Sequence, residues 1–328
     1  MSIGRRSLIK AAGCAGLGFG LFGCTDPADP TPRSQAQNRV TPGASATPSG
    51  TPDTLPSTRA WRPAPRDVAP EVKQAAVLLA EVAGTWGPDE AGTQHLRKRL
   101  RAAGYDPDLA DDLGPLTTAD DSAVTEVVVA QYGGILSESA SVLIVIDQWV
   151  LSESGQVQRR GTTLDVRLVA DEPQWSVTTV RPARPGRRDS GISDAARRLL
   201  GNDRVVLPLA AVRDVRAGAI DDSVLRALSS LSKIHRLDVS ILRSGHPVRV
   251  FGTDRTSNHT EGRAVDIWAL DGKPIIKRTS SAMVVDFMVA ARDVGAYQVG
   301  GPVDVDGTAS VFFADDTHQD HLHLGFAD

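Results

Sequence analysis

Two stretches near the C-terminus, Ser257-Asn258-His259-Thr260-Glu261-Gly262-Arg263-Ala264-Val265-Asp266 and His318-Gln319-Asp320-His321-Leu322-His323, carry the residue types needed to hold a divalent metal. A His and an Asp seven residues apart, followed by a His-x-His pair, offer three neutral or anionic ligands. They leave one tetrahedral position for water, the arrangement of hydrolytic rather than structural zinc. Of the 7 histidines, those at 246, 259, 318, 321 and 323 all lie from residue 246 onward. No Gly-x-Ser-x-Gly elbow supplies a competing nucleophile. The 2 cysteines, Cys14 and Cys24, both lie near the N-terminus, so the remainder has neither a thiol nucleophile nor an internal disulfide.

The elements around these residues can be read from their periodicity. Residues 262–268 have strand character, which places Ala264, Asp266 and Trp268 on one face and Val265 and Ile267 on the other. In residues 321–326 His321 and His323 share a face while Leu322 and Leu324 anchor the strand from behind. Gly262 lets the preceding polar stretch fold back, bringing the His259 imidazole and the Asp266 carboxylate to one metal. Helical patterns over 195–200, 209–216, 222–235 and 281–294, and strands over 237–243, 297–300 and 310–313, complete helices packed on a small antiparallel sheet. Asp221 or Asp222 suits the cap of the third of these helices.

The pattern Ser-x-His-x-x-Gly-Arg-Ala-x-Asp with a distant His-x-His is similar to the signature of the LAS metallopeptidases. That group holds D-alanyl-D-alanine carboxypeptidases, murein endopeptidases and the hedgehog signalling domain. The resemblance covers residues 191–328 and implies that His259, Asp266 and His323 bind one zinc ion. It also implies that Arg243, in Leu242-Arg243-Ser244-Gly245, holds a substrate carboxylate. His246, Ser257 and His318 are further candidates for contacting substrate. Carboxypeptidases of the group place a Glu where Asp320 stands, and other members rely on the first His of His-x-His, here His321. The murein endopeptidases show a His-x-x-His-x-His pattern that His318, His321 and His323 reproduce. Asp320 and His321 are therefore both candidates for the general base.

Upstream, the order of elements predicts a second α+β domain over 67–182. Val72, Ala75, Ala76, Leu79 and Val82 form a helical stripe, and His95–Ala103 a second helix stopped by Gly104. Four segments rich in Val, Ile, Thr and aromatics, 124–132, 141–150, 156–170 and 175–181, then read as strands of a curved antiparallel sheet. Helices followed by such a sheet resemble the NTF2-like fold, which often serves as an accessory module. The basic, proline-rich stretch 183–190 reads as a hinge between the two domains.

At the N-terminus Arg5-Arg6 resembles a twin-arginine export address, and Leu21-Phe22-Gly23-Cys24 resembles a bacterial lipobox, which would make Cys24 the lipidated residue of a 1–24 signal. The apolar run from Ala11 to Gly23 is too short to span a bilayer core. Residues 25–66 contain nine prolines and no apolar periodicity, so they are expected to be a disordered linker reaching ~35 Å from an anchor. A formal net charge of −4 provides no basic face for nucleic acid. Together the resemblances to the LAS metallopeptidases and to a lipoprotein signal imply hydrolysis of peptidoglycan stem-peptide or crosslink amides by a protein anchored to the extracytoplasmic face of the cell membrane. The N-terminal domain could recruit a protein partner. The alternative is a non-catalytic wall-binding or signalling lipoprotein that keeps a structural or vestigial zinc site.

Overall fold

Pro70, with its φ preset for a helix, and Glu71, which complements the positive end of the helix dipole, open α1 (Pro70–Gly84). The computed structural model describes residues 54–327 apart from 172, 280, 308 and 309. The Arg5-Arg6 pair, the Cys24 lipobox and the linker up to residue 53 lie outside the described residues. Among residues 54–64 there is no helix or strand, and Trp61 packs against the neighbouring core. No helix among the described residues is long and apolar enough to cross a membrane.

The chain is α+β. After α1 come α2 (Thr93–Ala102) and the long strands β1 (Ser122–Ile135), β2 (Ser139–Leu151), β3 (Val157–Asp171) and β4 (Gln174–Pro182). The strands form an antiparallel sheet in the order β1-β2-β3-β4, leaving β1 at one edge. Val72, Ala76, Leu79 and Ala83 of α1 pack with Val142, Ile144, Leu164 and Val166 in one core. Register shifts in β1 fall between Val127 and Val129 and between Tyr132 and Gly134, and such bulges bend a strand and re-aim its side chains.

The second half runs α3 (Asp194–Leu200), β5 (Val205–Val206), α4 (Leu209–Arg216), α5 (Asp222–Leu231), β6 (Leu237–Ile241), β7 (Ala264–Leu270), β8 (Lys273–Pro274), α6 (Ala282–Asp293), β9 (Ala296–Gly300), β10 (Phe312–Phe313) and β11 (Leu322–Phe326). Its sheet has the order β10-β9-β11-β7-β6-β5, with β8 paired to β7. Most of its pairs are antiparallel, but β5 pairs with β6, and β10 with β9, in parallel. Val265, Ile267, Leu322 and Leu324 pack into a second core with Val224 and Leu228 of α5 and Phe287 of α6. That packing turns Asp266 and His323, which are register partners on adjacent strands, to the opposite face. Asp221 caps α5 by accepting a hydrogen bond from the Ser223 N–H.

Gly262 closes the turn that carries His259 into this face. Its φ is +73°, and a Cβ there would stand 2.1 Å from the Ala219 carbonyl oxygen. The Gly262 carbonyl accepts from the Asp221 N–H at 2.9 Å, which pins the turn to the start of α5. Gly262→Ala is therefore expected to destabilise the protein by about 3 kcal/mol, combining left-handed strain with a backbone clash. Urea unfolding of the purified variant measures this, and an unchanged midpoint would contradict it.

Candidate metal centre

His259 Nδ1 lies 2.7 Å from the Leu242 carbonyl oxygen. A carbonyl only accepts, so Nδ1 carries the proton and Nε2 is left with a lone pair. That Nε2 lies 3.1 Å from Asp266 Oδ1 and 3.2 Å from His323 Nδ1. His323 Nδ1 is in turn 3.0 Å from Asp266 Oδ1, closing a triangle of three donor atoms. One proton can bridge only two of these atoms, whereas a divalent cation engages all three. Ligands held at about 2.0–2.1 Å in a tetrahedron stand roughly 3.3 Å apart, close to the spacing here. The donor set and its geometry fit a metal.

His246 also belongs to this neighbourhood, and His246, His259 and Asp266 form a cluster that could hold a metal ion. The His246 ring, however, stacks on His259 with centroids 4.0 Å apart and planes inclined by 18°. Imidazole lone pairs lie in the ring plane, so two nearly parallel rings do not aim at one point. The His323 Nδ1, by contrast, faces both other donors directly. His246 Nδ1 lies 2.9 Å from the Pro247 carbonyl oxygen and 3.4 Å from Ser257 Oγ, so its Nε2, like that of His259, keeps a lone pair, and only the ring orientation sets it apart.

Beside the triangle runs a chain of buried polar groups. His321 Nε2 is 3.8 Å from Asp266 Oδ2, and His321 Nδ1 is 2.5 Å from Asp320 Oδ1. Asp320 Oδ2 accepts from Lys73 Nζ at 2.6 Å and from the Tyr132 N–H at 3.2 Å. Lys73 is only 1% exposed and also pairs with Asp67. Asp266 Oδ2 accepts from Gln131 Nε2 at 2.8 Å. Lys73, Gln131 and Tyr132 were not among the residues the sequence suggested. No motif marks them, and they lie far upstream of the carboxylates they touch.

The charges follow from these contacts. Burial alone would raise the pKa of Asp320, but the Lys73 ammonium and the His321 contact hold it below the ordinary carboxylate range. Burial lowers that of His321, yet the Asp266 charge and the Asp320 hydrogen bond outweigh it and leave His321 raised. Burial pushes His323 down to about 4, against the pull of Asp266, so its imidazole is neutral at pH 7 and able to ligate a metal.

The remaining candidates divide between two recesses. The cleft beside the triangle, ≈ 770 Å³, is lined by Ser257, Asp266, His318, His321 and His323 and also by Tyr132 to Ile135 of β1 and by Leu136. Ser257 Oγ accepts from the His259 N–H at 3.3 Å. His318 is held by Asp315, with Nδ1 to Oδ1 at 2.6 Å, and meets Phe313 edge-on. Arg243 lies instead in an adjoining recess of ≈ 480 Å³ with Arg181 and Arg184, and only His246 lines both. Its Nε donates to the Thr260 carbonyl at 3.1 Å.

The chain matches no protein-family model, no curated protein and no solved structure with which it was compared.

Proposed function

We propose that the protein is a zinc-dependent peptidase of LAS type that hydrolyses stem-peptide or crosslink amides of peptidoglycan. The observation that carries this reading is the triangle of His259 Nε2, Asp266 Oδ1 and His323 Nδ1, with sides of 3.0 to 3.2 Å, set beside the buried His321 imidazole. Two imidazoles and one carboxylate make a borderline-soft set suited to zinc. When bound, zinc supplies Lewis acidity that activates water and polarises a carbonyl.

His321 is the general base in this reading. Its Nδ1–H is committed to the Asp320 carboxylate, which leaves Nε2, beside Asp266, as the atom that exchanges protons with substrate. Nε2 takes a proton from the attacking water and delivers it to the leaving amine, so amide plus water becomes carboxylate plus amine without a covalent enzyme intermediate. Asp320 holds the ring and stabilises its protonated form. With both oxygens already hydrogen-bonded, Asp320 is poorly placed to be the base itself. The cleft beside these groups, ≈ 770 Å³, has the volume for part of a peptide, and the arginines of the adjoining recess suit a terminal carboxylate.

Export, lipidation at Cys24 and the extracytoplasmic location belong to the same proposal and rest on the sequence. So do the NTF2-like character of residues 67–182 and the LAS arrangement of residues 191–328. A site used only for binding has no need of a base oriented by a buried carboxylate, which favours hydrolysis over the wall-binding alternative. Purified muropeptides incubated with the zinc-loaded protein are expected to yield new amino termini, detected by mass spectrometry. Intact muropeptides after prolonged incubation would remove the peptidase reading.

A further inference from the structure

Both carboxylates of the candidate site are held from outside the segment that resembles a peptidase. Lys73 leaves α1 nearly fully buried, 1% exposed, and spans Asp67 and Asp320, while its Nζ lies 4.9 Å from the Tyr132 ring centroid. Tyr132 and Gln131 are consecutive on the edge strand β1, so their side chains point to opposite faces. The Tyr132 hydroxyl donates toward the Val68 and Ala69 carbonyls in the first core, while its backbone N–H reaches Asp320. Gln131 points the other way, with its Nε2 on Asp266. The Gln131 Oε1 has no hydrogen-bond partner among the described residues, although the side chain is fully buried.

Neither feature is favoured by stability alone. A buried ion pair contributes little over apolar side chains of the same volume, and an unpaired buried oxygen is a cost. Both make sense if orienting the two carboxylates is the purpose. We infer that the N-terminal half is a working part of the catalytic site, in which Lys73 positions Asp320 and through it His321, and Gln131 positions Asp266 for the metal. This rests on the reading of the site as a zinc peptidase. An accessory module that only tethers or recruits would not place a buried ammonium and a buried amide on the two carboxylates.

The two residues act on different groups, and full-length variants separate their effects. Lys73→Met is expected to lower kcat on muropeptides by roughly 10- to 100-fold with KM within about twofold and zinc stoichiometry unchanged. In the zinc-free protein it is expected to abolish the downfield proton resonance of the His321 Nδ1–H, which reports the hydrogen bond to Asp320. Gln131→Leu is expected to weaken zinc binding by roughly 10- to 100-fold and to leave that resonance in place. Should Lys73→Met fail to fold because Asp67 and Asp320 face each other unpaired, Asp67→Asn with Lys73→Met relieves the repulsion and carries the same expectations. A wild-type resonance that is missing, or one that persists in the Lys73 variant with kcat unchanged, overturns the role of Lys73. Unchanged zinc affinity in Gln131→Leu overturns that of Gln131. If wild type cleaves no muropeptide, the peptidase reading fails, while the resonance and zinc measurements still decide this inference.

Discussion

Replacing His259 by alanine is expected to abolish stoichiometric zinc binding and to lower hydrolysis by about a thousandfold or more. The side chain is fully buried, and its Nε2 lies within 3.2 Å of both other donors, so its loss removes one corner of the triangle. His246 stacks against it but lies nearly parallel, and alanine would leave a space into which that ring could tilt. Even then the Leu242 carbonyl, which fixes the tautomer of His259, would be left without its donor. A metal contributes several kcal/mol of transition-state stabilisation, and roughly 4 kcal/mol corresponds to about a thousandfold in rate. Zinc content by elemental analysis, with turnover of the same sample, measures both effects. A variant that keeps full zinc and activity contradicts the ligand assignment.

Replacing His321 by alanine is expected to lower kcat by about 10²- to 10⁴-fold while zinc content stays at the wild-type value. The imidazole touches Asp266 only at 3.8 Å, beyond hydrogen-bond range, and its Nδ1 belongs to Asp320. On the proposed reading, removing it takes away the proton acceptor and leaves the three proposed ligands in place. Asp320 keeps its bonds to Lys73 and to the Tyr132 N–H, so the buried carboxylate is not left bare. Steady-state kinetics and elemental analysis on one preparation test the split. Loss of zinc along with turnover would make His321 a ligand rather than a base.

Much of the fold was legible in the sequence because its signals are local. The strands expected over 124–132, 141–150, 156–170 and 175–181 are β1 to β4 with ends shifted by at most a few residues, as β-branched and aromatic runs between turn-formers dictate. The expected helix over 222–235 stops at Leu231. There the Ser232 carbonyl turns to accept from Arg204 Nε at 2.5 Å, and its hydroxyl accepts from Asn202 Nδ2 at 2.9 Å. Such tertiary bonds leave no periodic trace. The facing of Asp266 and His323 could be read from strand alternation, because each lies between apolar residues that must enter the core.

The supporting groups could not be read this way. Lys73 sits beside Val72 in a helix whose other buried positions are apolar, where a lysine would ordinarily mark the solvated face. Gln131 lies in a strand of buried valines and alanines, 135 residues before the aspartate it touches. Only the meeting of the two halves gives these side chains partners, and nothing in the local pattern encodes that meeting. His246 was legible as a histidine near the site, but its parallel stacking, which disfavours it as a ligand, depends on the loop conformation between β6 and β7.

The most direct measurement is anomalous diffraction at the zinc edge from crystals of the full-length protein grown with one equivalent of zinc. A single peak within about 2.0–2.2 Å of His259 Nε2, Asp266 Oδ1 and His323 Nδ1 is the predicted result. A peak bound by His246 in place of His323, or no peak at these residues at all, would contradict it.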